Sequence, residues 1–311
     1  MPTPKDHSLP LIALTIGDPA GIGPEVIAKA LRSGKLAKGF RYEVIGERGG
    51  IAPGRSTKKS ARVALAALDE AVARWKRGEL AAIVTGPIQK ETMEAIGFPF
   101  PGHTEYFAHH CGVKEDDVVM MLADAKLRVA LCSTHCSLLD AIQQLNVPKI
   151  IHVARTSAAF LRRIGIAKPR LALAALNPHA GEGGLFGNEE ARILAPALKA
   201  LRRYEKTERF TITGPHSPDT LFHRAVQGGF DAVVCLYHDQ GLIPFKLIAF
   251  STGVNISLGL PLVRTSPDHG TALDLAGKGV ADASSMVEAI NTAALMVRSS
   301  VTGFKTEKRG R

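Results

Sequence analysis

Leu127–Ser137 reads LRVALCSTHCS, an apolar run that ends at His135. Two later stretches repeat the pattern. Arg170–Gly184, RLALAALNPHAGEGG, reaches His179, and Ala232–Gly241, AVVCLYHDQG, reaches His238. Each run has the length and the Val, Leu and Ala content of a strand buried on both faces, then breaks into Pro, Gly or polar residues. Strands of that kind belong to an open α/β sheet, whose ligand crevice lies beyond the carboxyl ends of the strands. Three imidazoles delivered to that edge could hold one divalent cation and leave coordination positions free for a substrate. Singly, each reads as an ordinary loop histidine; the threefold recurrence points to a metal.

Outward from these runs, strand-like and helix-like segments alternate along the whole chain, which predicts an α/β fold with a parallel sheet. LPLIALTIG (9–17) leads through DPAGIG into the helix PEVIAKALRSG. RYEVIG (41–46) precedes the helix 60–78, in which Leu65, Leu68, Val72 and Trp75 form an apolar face. LAAIVTG (80–86) runs into PIQKETMEAIG, and the chain closes on the helix of 279–300. With 311 residues and neither an internal repeat nor a low-complexity linker, two interleaved domains are expected: 1–100 with 262–311, and 101–261 carrying the three histidines.

Composition narrows the function classes. At 45% hydrophobic and 22% charged, the chain is an ordinary globular protein. The apolar run at 9–17 stops at Gly17-Asp18-Pro19, too short to span a membrane or to act as a signal. Four cysteines, Cys111, Cys132, Cys136 and Cys235, form no CxxC pair and fit a reduced, cytoplasmic protein. The net charge of +10 is dispersed and lacks aromatic platforms, so small anionic ligands account for it better than nucleic acid.

Several motifs could carry chemistry. Gly17–Glu25, GDPAGIGPE, matches neither the dinucleotide G-x-G-x-x-G spacing nor a phosphate loop. Asp18 sits at a strand end, open to the site or else part of a turn built for its geometry, and Pro24 suits a first helical turn. Gly102-His103-Thr104-Glu105 opens a helix. Its backbone N–H groups, the Thr104 hydroxyl and the His103 ring make an anion site, unless Thr104 is only an N-cap. Lys246, Asn255 and Arg264, read as lying on adjacent strands, could clamp a carboxylate and a phosphate. Asp268-His269-Gly270-Thr271-Ala272 begins a Gly-punctuated loop that could take an adenine or merely connect strand to helix.

In order, GDPAGIGPE, VTGP, GHTE, NPHAGEGG, YHDQG, GVNISLGLPLVRTS and DHGTALDLAGKG resemble the 4-hydroxythreonine-4-phosphate dehydrogenase family of pyridoxal 5′-phosphate biosynthesis, over nearly the whole chain. HGTALDLAGKG also resembles the adenine loop of isocitrate and isopropylmalate dehydrogenases. The resemblance implies their two-domain α/β/α fold, with the active site in the cleft between domains. It implies that His135, His179 and His238 are metal ligands, that His103, Thr104, Lys246, Asn255 and Arg264 contact substrate, and that Asp268–Ala272 contact the cofactor. Asp219, in GPHSPDTLF, falls where the family places an acidic residue near the site, and Lys246 and Asp219 are its candidates for proton transfer. The family is a homodimer with the metal near the subunit boundary, so both subunits are expected to contribute to one site.

The implied reaction is a metal-dependent, NAD- or NADP-linked oxidation and decarboxylation of 4-phosphooxy-L-threonine to 3-amino-2-oxopropyl phosphate, with Zn, Co, Mg or Mn as the metal. Other branches of the family oxidise phosphorylated four-carbon sugar acids (4-phosphoerythronate or threonate) or cis-dihydrodiols of aromatic carboxylates. Two departures stand out: Gln89 replaces the usual Asn, and the segment 46–60 is shorter than the family norm. A phosphate acyltransferase, which shares related architecture, or a non-catalytic metal-dependent binding protein, would be the rivals from other classes. The acyltransferase would have no need of three strand-end histidines.

Overall fold

Leu11–Thr15 is buried at every position, as its unbroken apolar run requires, and forms β1. It pairs in parallel with β2 (Arg41–Ile45) on one side and with β3 (Ala82–Thr85) on the other. β10 (Arg264–Pro267) pairs in parallel with β3. This four-stranded order, β2-β1-β3-β10, is the sheet of the first of two units, made of residues up to Glu115 and from Leu260 onward. A computed structural model describes residues 9–307 of the chain, with side chains to residue 299.

The helices of this unit are α1 (Gly23–Arg32), α2 (Lys58–Lys76), α3 (Lys90–Glu94), α4 (His103–Cys111) and α10 (Ser284–Glu307). α2 starts on a reciprocal cap: the Ser60 amide donates to the Thr57 hydroxyl and the Thr57 amide to the Ser60 hydroxyl. Its buried face, with Ala64, Leu68, Ala71 and Val72, joins one core with Ile83, Met93, Phe98, Tyr106 and Phe107. α4 therefore belongs to this unit, which runs to Glu115. The reason is packing. Tyr106 and Phe107 are among the largest fully buried side chains, and the Tyr106 hydroxyl donates to Asp69 on α2 at 2.6 Å.

The second unit, Asp116–Gly259, holds six strands in the order β9-β4-β5-β8-β6-β7. These are β4 (Val119–Ala123), β5 (Arg128–Leu131), β6 (Arg170–Ala174), β7 (Thr211–His216), β8 (Ala232–Cys235) and β9 (Val254–Leu258). β5, β8, β6 and β7 run parallel, while β4 runs antiparallel to both β5 and β9. The sheet is thus mixed rather than wholly parallel. A tight turn at Asp124–Lys126, in which the Asp124 side chain accepts from the Lys126 amide, folds one apolar stretch into two strands. The helices are α5 (Leu138–Gln144), α6 (Val147–Arg163), α7 (Ala195–Glu205), α8 (Pro218–Val226) and α9 (His238–Ala249). Among the described residues no helix is long and apolar enough to cross a membrane.

Candidate active site

β5, β8 and β6 are neighbours and run the same way, so their carboxyl ends lie along one edge. His135, His238 and His179 follow those three ends within a few residues. The His135 and His238 rings stand 5.5 Å apart and line a cavity of about 440 Å3 with Cys136, Leu138, Tyr237 and Asp239. His238 is the first residue of α9, and its Nδ1 shares a 2.7 Å hydrogen bond with Asp239 Oδ1. A carboxylate on one ring nitrogen fixes the tautomer and frees the other nitrogen for a metal. Two imidazoles on one cavity wall, one of them so oriented, fit a borderline divalent cation.

His179 lies apart from that pair. Among the described residues no three His, Cys, Asp or Glu side chains group closely enough to hold a metal. The chain from His179 to Gly183 takes five successive positive φ angles, including non-glycine residues at 51° (His179), 56° (Ala180) and 42° (Glu182). Such a turn costs conformational energy at each non-glycine and persists only when its surroundings hold it. Glu190 does so. Its carboxylate is 8% exposed and accepts the amides of Leu176 (2.9 Å) and Asn177 (2.8 Å) and the Asn177 side-chain amide (2.8 Å). A Cβ on Gly181 would come within 2.8 Å of this carboxylate, so the turn needs glycine there. Asp219 lies in the first turn of α8; its carboxyl is held below the usual range by the Ser217 hydroxyl and, more weakly, by His179.

Burial alone would raise the Glu190 pKa, but the Asn177 and Leu176 donors hold it below the ordinary carboxylate value. A depressed folded-state pKa gives stability that is present above the unfolded value near 4.3 and disappears as pH falls through the folded one. Glu190→Gln, which sets an amide NH2 against that of Asn177, should lower stability by about 1–3 kcal/mol at neutral pH. Chemical denaturation across an acid series checks this: the wild type should lose its advantage over the variant below about pH 4.

Gln240 ties two of the histidine-bearing ends together. It is 6% exposed, donates to the Ala175 carbonyl after β6 and accepts the Leu236 amide after β8, each at 2.7 Å. Neither Glu190 nor Gln240 stands out in the sequence, since only the fold reveals their partners.

The first unit carries a polar cluster around His103 and Arg264. His103 is the first residue of α4, with its Nε2 buried and without a hydrogen-bond partner. Burial, then the charges of Arg264 and Lys90, hold its imidazole well below the usual range, so the ring is neutral at pH 7. Arg264 on β10 is 2% exposed and donates to the Thr85 hydroxyl at 2.7 Å. Desolvation pulls its pKa to about 10, with Glu105 opposing. A buried guanidinium, a neutral imidazole and the free amides of a helix start form a site for an anion. Thr104 lies in the first turn of α4, but the cap position is Gly102, so Thr104 is not the N-cap.

The structure decides the reading of Asp18 and corrects that of Lys246. Asp18 is 1% exposed and closes its own turn, accepting the Ala20 amide at 2.9 Å and the Ser56 hydroxyl. The Asp-Pro-Ala-Gly geometry calls for that short-range acceptor. Lys246 is on helix α9 rather than a strand, its Nζ 5.8 Å from the Phe250 ring. The apolar stretch around Lys246, FKLIA, reads as a strand by composition, yet it belongs to the helix that starts at His238. Lys246 therefore does not sit on adjacent strands with Asn255 (β9) and Arg264 (β10). The Asn255 Oδ1 is buried without a hydrogen-bond partner. Residues 268–272 form the loop between β10 and α10, with the Asp268 amide donating to the Ser285 hydroxyl and Ala272 at φ 39°.

Comparison with known proteins decides the family. The model for the pyridoxal phosphate biosynthetic protein PdxA matches residues 25–293. The chain belongs to the PdxA family. It is 42% identical, over 93% of its length and 94% of the relative's, to a 4-hydroxythreonine-4-phosphate dehydrogenase of Beijerinckia indica. A crystal structure of 4-hydroxythreonine-4-phosphate dehydrogenase from Klebsiella pneumoniae superposes with a TM-score of 0.76 at 38% identity, covering 93% of this chain and 99% of that one. A terephthalate 1,2-cis-dihydrodiol dehydrogenase from Burkholderia xenovorans LB400 is more distant, at 28% identity and a TM-score of 0.66, covering 92% and 98%. As a PdxA-family chain whose full-length relatives are dehydrogenases, it is an oxidoreductase acting on a CH–OH group.

Proposed function

We propose that this PdxA-family chain is a metal-dependent, NAD- or NADP-linked dehydrogenase that oxidises and decarboxylates 4-phosphooxy-L-threonine to 3-amino-2-oxopropyl phosphate. The observation that carries the proposal is the pair of His135 and His238 rings, 5.5 Å apart on one cavity wall beyond adjacent parallel strands. His135, His179 and His238 would hold the cation, which together with the nicotinamide supplies Lewis acidity at the reacting oxygen and an acceptor for hydride.

The chain's own residues do the rest. Arg264 and His103 bind the phosphate, Arg264 as a fixed charge and neutral His103 as a hydrogen-bonding ring. The Thr104 hydroxyl and Asn255 add polar contacts, and Asp268–Ala272 seat the cofactor. Asp219, ionised and facing His179, and Lys246 are the two groups available to move a proton. The product of alcohol oxidation at C3 is a β-keto acid, so loss of CO2 needs only stabilisation of the enolate and one proton delivered to carbon.

The second unit exposes large apolar side chains on α5 and α9: Leu139 at 64%, Leu247 at 84% and, at the end of α9, Phe250 at 76%. Apolar exposure of this kind on a folded protein marks a covered surface. We assign it to a homodimer, in which the partner helps to complete the ligand set that the described residues of one chain do not gather. Leu247→Glu should shift the mass measured by light scattering from dimer to monomer.

The test of substrate is a panel in which reduced nicotinamide is followed with 4-phosphooxy-L-threonine, 4-phosphoerythronate, threonate 4-phosphate and a terephthalate cis-dihydrodiol. The amino-acid phosphate should be turned over with the highest kcat/KM. The cations Arg264 and Lys90 beside the neutral His103 ring favour the phosphorylated substrates over the dihydrodiol. Preference for another member of the panel would keep the chemistry and reject this substrate.

A further inference from the structure

Gln89 occupies the cap position before α3, yet its side chain caps nothing. Its Oε1 instead accepts from the Thr271 hydroxyl at 2.9 Å, across 182 positions of sequence. Thr271 is 6% exposed, and its carbonyl accepts the Ile22 amide at 2.9 Å. The approach is close: a Cβ on Gly21 would meet the Thr271 carbonyl oxygen at 2.8 Å. The next residue, Ala272, has a φ of 39°, a conformation that an alanine keeps only when its neighbours hold it.

Gln89 is itself held from behind. Its carbonyl accepts the Met93 amide at 3.1 Å and the Thr92 hydroxyl at 3.0 Å. The Thr92 hydroxyl lies 2.7 Å from that of Ser56, which donates in turn to Asp18. Ser56 lies in the segment 46–60, and Gly54 of the same segment donates to the Ala20 carbonyl at 2.8 Å. Asp18, Ser56, Thr92, Gln89 and Thr271 thus stand in one polar cluster, in which the Ser56 hydroxyl donates to Asp18 and the Thr92 hydroxyl to the Gln89 carbonyl.

We propose that Gln89 is a positioning residue that latches the Thr271–Ala272 turn in the conformation that receives the nucleotide cofactor. The inference rests on the proposed role of residues 268–272 in seating that cofactor. An asparagine, one methylene shorter, would not span the distance from the same backbone. The latch acts before any substrate binds, by removing an ordering cost that the cofactor would otherwise bear.

Direct titration of NADH and NADPH by fluorescence tests this on the full-length protein. Gln89→Ala should weaken binding of the preferred cofactor about fivefold, the size of one lost hydrogen bond, and Gln89→Asn by nearly as much. In turnover, the KM for cofactor should rise by the same factor, with kcat and the KM for substrate within about twofold. Thr271→Ser, which keeps the hydroxyl that reaches Gln89, should bind more tightly than Thr271→Val. Thr271→Val should match Gln89→Ala, and the double variant should be no worse than either. If wild type binds neither nucleotide, the cofactor role of the loop fails and the latch with it. If wild type binds and Gln89→Ala binds equally well, or loses kcat and both KM values together, the loop role stands and the latch is overturned. Should Gln89→Ala not fold, Thr271→Val against Thr271→Ser decides between the same two outcomes.

Discussion

Alanine at His135 or His238 is expected to strip the divalent cation and to lower kcat/KM by roughly 10^3-fold, the several kcal/mol that a Lewis-acid cation contributes to the transition state. His179→Ala should do the same in the homodimer. None of the three histidines is in the hydrophobic core; His135 and His179 are exposed and His238 is half-buried. Thermal unfolding of the metal-free variants should therefore match that of the metal-free wild type. Elemental analysis of dialysed protein, run beside turnover and melting, checks all three outcomes. A variant that keeps full metal content and activity removes that histidine from the ligand set.

Arg264→Met is the second large effect. The guanidinium is 2% exposed and desolvation has pulled its pKa to about 10, so the fold carries this cation at a cost. Methionine fills much of the same volume without that cost and should leave stability unchanged or higher. Against this, kcat/KM for the phosphorylated substrate should fall about 10^2- to 10^3-fold, the loss expected when a buried charged partner is truncated. Arg264→Lys should recover only part of it, because an ammonium keeps the charge and not the two-pronged donor geometry. Cofactor affinity should stay the same in both variants. Denaturant unfolding together with steady-state kinetics tests the opposition: a variant that loses stability and activity in parallel would mean that Arg264 serves the fold rather than the anion.

How far the sequence alone reveals the site follows from the range of the interactions involved. The three strands that lead to His135, His179 and His238 are readable because a strand buried on both faces writes an unbroken apolar run. That the three are sheet neighbours is tertiary information, carried by the β5-β8-β6 order. β4 is hidden because its residues merge with those of β5 into one apolar stretch, broken only by Asp124, Ala125 and Lys126. α9 resembles a strand in sequence because an apolar helix with Pro244 inside it has no polar stripe to reveal its period. His103 and Arg264 are identifiable by type and motif, but not the burial that sets their charge states. Glu190, Gln240 and Gln89 are amides and carboxylates of ordinary surface type. Only the fold shows that each holds a strained turn or ties two strand ends together.

The central claim is that one site oxidises an alcohol and releases CO2 with the help of a divalent cation. It is tested most directly by supplying 4-phosphooxy-L-threonine and NAD+ or NADP+ to the metal-loaded protein and measuring reduced nicotinamide and CO2 in the same sample. The account predicts equal amounts of the two, both abolished by EDTA and restored by excess divalent metal. Turnover that persists unchanged in EDTA, or no reduction of nicotinamide with any substrate of the panel, would contradict it.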